Sequence, residues 1–346
     1  MSILPKSAWA RVKVRSVGIE AMAGETPTVE QPEGEGFTSE PRAEELATPE
    51  LQEPHIVVGA GGPLGAAVIE ALVADSKQVR AVLFGEPEVG LPEGIESVLV
   101  NPLEPSSIAR GCSGASAIYD CFEPSYASWK KTYAEVTGNI VFAAIESGAR
   151  TVFASHLVSS YADNERWEGE VLKAQGSGLT QAAVARLPQL FGLKVMNPMF
   201  KLIFDAVLEG KKAHWVGDLD VRRNFLDVED AARAMILLNE DAKAYGRAWN
   251  VTSPGGLSGR ELIELAFKAV GAKPKVGRWS RGIALTGSLL APDTKLVVEM
   301  PYDYSSEFNL DGSGFADAFP TFSFTPPDRT VEKALTWYKG EKASVR

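Results

Sequence analysis

The sequence predicts an α/β fold built around a doubly wound parallel sheet, and three observations support this. Short apolar runs alternate with segments of helical spacing between residues 55 and 187. A glycine-rich turn joins the first apolar run to the first helical segment. Of the 346 residues, 45% are hydrophobic, which is enough for a large core. Repeated strand–helix units fold into parallel sheets with helices on both faces.

The first unit is HIVVGAGGPLGAAVIEALVADSKQVRAVLF, at residues 55–84. Residues 56–58 form a short apolar run, as expected of a buried parallel strand. Residues 66–74 have helical spacing, and residues 79–84 form a second apolar strand. Further strands are predicted at 95–100, 115–122, 151–155 and the end of 179–187, and helices at 106–112, 129–148 and 166–175.

Each glycine of the turn after the first strand has a predicted role. Gly59 permits the tight turn, and Gly61 or Gly62 lets the backbone approach a diphosphate. Gly65 lets the helix pack closely on the strand, and the helix N-terminus offers free N–H groups to phosphates. The order strand, turn, helix, strand is the context that a dinucleotide motif requires. The predicted phosphate-binding residues are Gly59, Gly61, Gly62, Pro63, Leu64 and Gly65.

The end of the second strand leaves the choice between NAD and NADP open. An acid at this place usually binds the ribose hydroxyl of NAD, whereas a base binds the 2′-phosphate of NADP. Here the strand ends at Phe84, and Glu86 follows slightly late, with no arginine after it. We therefore predict NAD or NADP as the cofactor, with Phe84 beside it.

The composition argues against several other classes of protein. The net charge is −10 and the pI about 5.1, so no general attraction to nucleic acid or anionic membrane is expected. The sequence contains no apolar run of about 18 residues, so no membrane span is predicted. Cys112 and Cys121 are predicted to be reduced thiols, and no His/Cys cluster suggests a metal site.

The first fifty residues differ from the rest of the chain. Residues 1–23 carry four bases before the first acid, and residues 24–54 are rich in Pro, Gly, Thr and Glu. Residues 1–53 are therefore predicted to form a disordered tail. The basic part is either an organelle-targeting segment or an extension upstream of a start at Met22. Without a targeting role, the expected compartment is the cytoplasm.

Several segments carry a resemblance to a known family. They are the Gly59-x-x-Gly62-x-x-Gly65 turn, RLPQLFG at 186–192, VRRNFLDVEDAARAMILL at 221–238 and the C-terminal block at 308–340. Residues 55–340 thereby resemble the extended short-chain dehydrogenase/reductase superfamily, in its NAD-dependent epimerase/dehydratase group. EPSYASWKK at 123–131 is similar to a bacterial subgroup of that family with Pro-x-Tyr-x-x-Trp after the fourth strand.

The resemblance implies a Rossmann-type doubly wound parallel sheet with a small C-terminal α/β substrate lobe. The expected domain covers residues 54–340. Its cofactor part is about 54–192 with 221–251, and its substrate lobe about 193–220 with 252–340. The adenine would lie near Asn101, Pro102 and Leu103, where the family usually has an Asp-Leu pair. Cys121 and Phe122 would face the ribose and the nicotinamide.

The catalytic motif of the family is altered in this chain. Active relatives use a serine, a tyrosine and a lysine four residues after the tyrosine, which lowers the tyrosine pKa. In TVFASHLVSSYADNERWEGE, at 151–170, the serine position falls on His156 or Ser155. With Glu170 taken as the acid that follows the lysine by four, the lysine position falls on Arg166. The tyrosine position then falls on Ala162, beside Tyr161.

Three outcomes are open for this altered motif. Tyr161 could donate a proton, with the positive charge of Arg166 lowering its pKa. His156 could act as the acid/base, because its ordinary pKa of about 6.5 suits that work. Alternatively, the chain could bind a cofactor without hydride chemistry, since fold does not fix function.

The substrate side is less defined by sequence. Tyr126 is predicted to line the substrate pocket, because loops at strand C-termini carry ligands in such sheets. Arg223 either contacts a diphosphate, as the matching arginine does in sugar-nucleotide enzymes, or pairs with an acid on a solvated edge. The predicted function is oxidoreduction or epimerisation of a small hydroxylated or nucleotide-linked substrate, and the chain could form a homodimer. A non-catalytic regulatory or accessory protein is the alternative.

Overall fold

The computed structural model of the chain describes residues 53–123, 129–157, 161–195, 197–280, 282–284 and 304–344. The predicted tail of residues 1–53 lies outside these ranges, except for its last residue. The strands are β1 (His55–Val58), β2 (Val79–Leu83), β3 (Glu96–Leu99), β4 (Ala117–Asp120), β5 (Arg150–His156), β6 (Gln181–Leu187), β7 (Gln189–Phe191), β8 (Ala213–Val216), β9 (Arg222–Arg223), β10 (Phe225–Asp227), β11 (Ala248–Asn250), β12 (Leu257–Ser258) and β13 (Val276–Trp279).

The helices follow the strands in the order that the sequence predicts. They are α1 (Pro63–Ala74), α2 (Pro105–Gly111), α3 (Trp129–Ser147), α4 (Tyr161–Gly176), α5 (Pro198–Leu208), α6 (Val228–Glu240), α7 (Gly259–Ala269), α8 (Ser313–Ala318) and α9 (Pro327–Ser344). Helix α4 begins five residues before its predicted start at 166. No helix in the described ranges is long and apolar enough to cross a membrane.

Local sequence signals account for several helix ends. Ser258 and Glu261 form a capping box at the start of α7, and Gly271 has a φ of +69° just beyond its end. The Asp227 side chain accepts hydrogen bonds from the first backbone N–H groups of α6. Asn197 caps α5 by accepting from Phe200 N at 3.0 Å. Ser258, Asp227 and Asn197 therefore cap the starts of their helices.

The main sheet has seven parallel strands in the order β11-β6-β5-β4-β1-β2-β3. The predicted doubly wound parallel sheet is thus confirmed. Chain order reverses at β1, because β2 pairs with one side of it and β4 with the other. In sheets of this kind, ligands bind in the crevice beyond the carboxyl ends of the strands at such a reversal.

The apolar side chains form three clusters. Helices α1 and α6 cover one face of the sheet, and α3 and α4 cover the other. A third cluster joins α5, α7 and α9 around the β8–β13 pair. This third cluster forms the second lobe, and its helices α5 and α9 reach the carboxyl edge of the main sheet.

Candidate active site

The glycine-rich turn lies at the carboxyl end of β1, between β2 and β4. Gly59 N and Ala60 N donate to Val82 O at 3.0 and 3.2 Å. Gly59 has a φ of +74°, and a Cβ there would lie 2.8 Å from the Cα and N of Phe122. A Cβ on Gly65 would lie 2.7 Å from Ala60 Cα. The turn can therefore lie against β4 and α1 only because these two positions are glycine.

The two middle glycines have different surroundings. A Cβ on Gly61 would lie 3.0 Å from Pro87 Cα, and Gly61 O accepts a hydrogen bond from Glu88 N at 2.9 Å. The loop after β2 therefore packs directly on Gly61. For a Cβ on Gly62, the nearest atom would be Gly59 O at 3.9 Å. Gly62 is thus the position where a ligand can approach the backbone.

The N-terminus of α1 has the features of an anion site. Gly62 is its N-cap residue, so no side chain caps the helix, and Pro63 follows at the first helical position. The first turn contains no acid. The N–H groups of Leu64 and Gly65 therefore lack a capping side chain and lie at the positive end of the helix dipole.

A cleft of about 730 Å³ lies above the turn. Its volume falls in the range typical of small-molecule sites. The second lobe forms the opposite wall, through the loop before α5 and the last helix, α9. The lining residues are Gly59, Gly61, Gly62, Pro63, Leu64, Leu83, Phe84, Gly85, Glu86, Glu88, Val89, Cys121, Phe122, Glu123, Lys194, Val195, Asn197, Pro198, Trp337 and Glu341.

The residues at the floor of the cleft are apolar and well packed. Phe84 and Phe122 make an edge-to-face contact with ring centroids 5.4 Å apart. Cys121 is buried beside them, and burial raises the pKa of its thiol. The thiol therefore stays protonated at neutral pH and acts as an apolar wall. Phe84, Cys121 and Phe122 all line the cleft, where the sequence predicts a cofactor.

The residues predicted for the adenine are outside the cleft lining. Leu103 N donates to Asn101 Oδ1 at 3.1 Å, and Asn139 Nδ2 donates to Pro102 O at 2.9 Å. Asn101 N also donates to the hydroxyl of Ser107. These bonds form the turn that starts α2. The structure thus gives Asn101, Pro102 and Leu103 a structural role and does not bring them to the cavity wall.

His156 lines a second cavity of about 30 Å³ that adjoins the cleft. The two cavities share Pro63, Glu123, Val195 and Asn197. Burial lowers the pKa of His156, and the Glu123 carboxylate partly opposes this shift. The imidazole is therefore neutral at pH 7 and stands at the inner end of the cleft.

Ser155 takes part in a buried polar network behind the cleft. Its hydroxyl donates to Glu168 Oε1 at 2.5 Å, and Asn164 Nδ2 donates to the same hydroxyl at 3.2 Å. Arg186 donates two hydrogen bonds to Glu168 Oε2, at 2.9 and 2.6 Å. This network joins α4 to β5 and β6. Ser155 is fully buried and does not line the cleft.

The network shows how helix α4 is held against the sheet. Asn164 and Glu168 are buried on the face of α4 that meets the sheet, whereas Glu170 is partly exposed. Glu168 therefore holds this helix against the sheet, and the alignment through Glu170 stays a prediction. Taken from Glu168 instead, the lysine position would fall on Asn164 rather than on Arg166. A further four residues place the tyrosine position on residue 160, outside the described ranges.

Several predicted catalytic or substrate residues cannot be placed by their side chains. The side chains of Tyr161 and Arg166 lie outside the described part of the chain, and so does Tyr126 as a whole. Tyr133 of α3 is described: its hydroxyl donates to Ala154 O at 3.0 Å. Burial raises the pKa of Tyr133, so this tyrosine is a poor proton donor.

Arg223 lies in the second lobe and holds the C-terminal segment. It is buried, and its NH1 donates to Ser306 O at 2.6 Å. Its guanidinium carbon lies 5.7 and 5.3 Å from the ring centres of Tyr304 and Phe308. These contacts place the guanidinium among aromatic rings and a backbone carbonyl. Arg223 does not line the cleft above the glycine turn.

The cleft contains residues that sequence reasoning missed. They are Leu83, Gly85, Glu88, Val89 and Glu123 on the sheet side, and Lys194, Val195, Asn197, Pro198, Trp337 and Glu341 on the side of the second lobe. The segment RLPQLFG ends at residue 192 and predicts a loop at the sheet edge, so the sequence could have indicated Lys194 as a residue of the cleft. Nothing in the sequence near Trp337 signals its place in the cleft. Within the described residues, no cluster of three His, Cys, Asp or Glu could hold a metal.

Fold and site together define a dinucleotide-binding type of α/β protein. Residues 167–252 match the family model described as NAD dependent epimerase/dehydratase family. The match runs from α4 through β11 and includes Glu168, Arg186 and Arg223. Among curated proteins, none matches the chain.

Solved structures extend the likeness over most of the fold. The enzyme WbmH of Bordetella bronchiseptica, in complex with NAD+, is 19% identical with a TM-score of 0.63, over 83% of this chain and 98% of that chain. The UDP-glucose 4-epimerase of Thermus thermophilus, in complex with NAD, is 15% identical with a TM-score of 0.66, over 83% and 99%. An epimerase of Methanothermobacter thermautotrophicus is 14% identical with a TM-score of 0.69, over 85% and 94%.

These similarities confirm the resemblance to extended short-chain dehydrogenases and their epimerase/dehydratase group. At these identities, the solved structures establish the shared fold. The described part of the chain therefore shares the extended Rossmann-type fold of these proteins.

Proposed function

We propose that the chain binds NAD in the cleft above the glycine turn. The observation that carries this proposal is the α1 N-terminus, which lacks a side-chain cap and opens onto a cleft of about 730 Å³. Gly62 leaves space for a diphosphate to approach the backbone. The NAD complexes of the similar enzymes from Bordetella bronchiseptica and Thermus thermophilus support this choice of ligand.

NAD is preferred over NADP because of the charges near the end of β2. Glu86 and Glu88 both line the cleft there, beside Phe84 and Gly85. A carboxylate at this place can accept hydrogen bonds from ribose hydroxyls, whereas it repels a 2′-phosphate. The cationic side chain among the described lining residues, Lys194, comes from the opposite wall. We therefore expect clear discrimination against NADP.

The reaction that best fits the site is oxidoreduction or epimerisation of a small hydroxylated or nucleotide-linked substrate. NAD, when bound, supplies the hydride acceptor. His156 takes the proton of the substrate hydroxyl as the carbonyl forms, and returns it on reduction. Its imidazole is suited to accept this proton because burial keeps its pKa below 6.5, so it is neutral at pH 7. The Glu123 carboxylate, on the wall of the same small cavity, stabilises the imidazolium.

Tyr161 assisted by Arg166 stays a prediction for the same proton transfer. A second function, cofactor binding without turnover, is favoured by one observation. With Glu168 taken as the acid that follows the lysine by four, the lysine position falls on Asn164, whose amide is bound to Ser155 and to His156 O at 2.9 Å. A neutral amide cannot lower the pKa of a tyrosine as a lysine does.

The test is a calorimetric titration of the full chain with NAD+, NADH, NADP+ and NADPH. We expect micromolar binding of the NAD pair and much weaker binding of the NADP pair. Absence of binding for all four cofactors would overturn the proposed function. Preference for the NADP pair would overturn the argument from Glu86 and Glu88.

Catalysis is tested separately, on a panel of sugar nucleotides and small alcohols. The His156→Gln variant should lose turnover while retaining NAD binding. The matched control is His214→Gln, since His214 stacks on Trp279 in the second lobe, away from the cleft. Cofactor binding without turnover by the unmodified chain would support the non-catalytic function. Loss of turnover in Tyr161→Phe, with His156→Gln unaffected, would move the proton transfer to Tyr161.

A further inference from the structure

The loop between β7 and α5 brings a lysine to the wall of the cleft. Lys194, with a φ of +64°, lines the cleft opposite the glycine turn. Its Nζ donates to Glu70 Oε1, on the exposed side of α1. Lys194 is 23% exposed and Glu70 39% exposed, so the pair lies at the surface of the cleft mouth. Glu70 itself does not line the cleft.

The charges on the cleft wall are otherwise negative. Of the described lining residues, Glu86, Glu88, Glu123 and Glu341 carry carboxylates, and Lys194 is the cation. A diphosphate that enters this cleft meets the partial positive charge of the α1 N-terminus. It also meets repulsion from the carboxylates. A cation near the phosphates would offset that repulsion.

We propose that Lys194 binds the diphosphate of the dinucleotide, and that Glu70 holds the lysine at the cleft mouth in the free protein. The inference rests on the proposed function. A lysine can change its partner from Glu70 to the diphosphate because its ammonium is a point charge on a flexible four-carbon stem. The pair with Glu70 is partly exposed, so it is weak enough to be replaced by a doubly charged ligand.

The position of Lys194 favours the cofactor's diphosphate over that of a nucleotide-linked substrate. Lys194 lines the same cleft as Gly59, Gly61 and Gly62, the turn that faces the cofactor. It is absent from the lining of the small cavity beside His156, where the substrate is expected to react. Both the cofactor and a nucleotide-linked substrate contain a nucleoside diphosphate, and a comparison of ligands distinguishes the two.

The experiment measures calorimetric affinities of the full chain for NAD+, ADP, UDP and adenosine at several salt concentrations. Lys194→Met should weaken NAD+ and ADP binding about tenfold, the expected size for a charge-assisted hydrogen bond. Adenosine should bind unchanged, because it has no phosphate. The salt dependence of NAD+ binding should become shallower. Lys201→Met is the matched control, since Lys201 pairs with Asp205 on α5 outside the cleft.

Two further variants separate binding from loop ordering. Lys194→Arg should retain most of the affinity, and Glu70→Gln should not reduce it, because that change frees the lysine. If Glu70→Gln weakens NAD+ as much as Lys194→Met, the pair only orders the loop and the inference fails. An equal loss for adenosine, or a loss confined to UDP, also overturns it. Unchanged NAD+ binding by Lys194→Met overturns this inference alone, whereas no NAD+ binding by the unmodified chain overturns the proposed function.

Discussion

Asp120, at the end of β4, allows a direct test of the electrostatics beneath the cleft. The side chain is 2% exposed, and its Oδ1 accepts from Phe122 N at 3.0 Å. Burial raises the pKa of Asp120 from 3.8 to about 7, although the hydrogen bond from Phe122 works against this shift. The folded state therefore holds the proton more tightly than the unfolded state. The stability from this group is fully present below pH 3.8 and is lost as the pH rises to about 7.

The variant Asp120→Asn removes this titration and keeps an oxygen that can accept from Phe122. Each pH unit between the two pKa values changes the free energy of unfolding by about 1.4 kcal/mol. Between pH 5 and pH 8, the stability of the variant relative to the original chain should therefore rise by up to about 3 kcal/mol. The assay is urea unfolding of both proteins at pH 5, 6, 7 and 8.

The comparison between the two proteins cancels the titration of all other groups. Asp75→Asn serves as the control, because Asp75 is exposed after α1. Parallel stability curves for Asp120→Asn and the original chain would refute the reasoning. They would mean that Asp120 is ionised in the folded protein at neutral pH.

The remaining predictions concern the glycine turn and the network behind the cleft. Gly65→Ala should destabilise the fold and abolish NAD binding, because its Cβ would lie 2.7 Å from Ala60 Cα; thermal unfolding and calorimetry check both effects. Gly62→Ala should weaken NAD binding while changing stability by about 0.5 kcal/mol or less, and equal loss in both measurements would contradict this. Glu168→Gln should lower the unfolding free energy by roughly 3 kcal/mol, because it leaves the Arg186 charge without its buried partner. A double-mutant cycle with Arg186→Met measures the coupling energy between Glu168 and Arg186, and additive effects of the two substitutions would show that the pair is not coupled.

The strands and helices around the sheet could be predicted from sequence because their signals are local. The apolar run at 56–58, the glycine turn and the capping box at Ser258 each specify their conformation within a few residues. Periodicity also separates helix from strand without information about contacts. The doubly wound parallel sheet then follows from the repeated strand–helix units.

The composition of the cleft could be predicted only in part, because six of its twenty lining residues come from segments far along the chain from the glycine turn. Trp337 and Glu341 belong to the last helix, and they meet the glycine turn only through the packing of α9 on α5 and α7. The position of Trp337 in the helical pattern of its segment does not distinguish it from a residue that packs on a neighbouring helix. The role of Glu168 could not be predicted for a different reason: Glu168 and Glu170 are two acids that sequence alone cannot rank by burial.

The buried network of Glu168 bears on whether the site catalyses hydride transfer or only binds a cofactor. A partly buried Arg186 and a buried Glu168 would be costly to keep if α4 no longer needed a fixed position against β5. The network holds Asn164 against the carboxyl end of β5, next to the backbone of His156. The network thus fixes the position of α4 against β5. This arrangement fits the proposed role of His156 on β5 as the proton acceptor, with α4 holding its backbone in place.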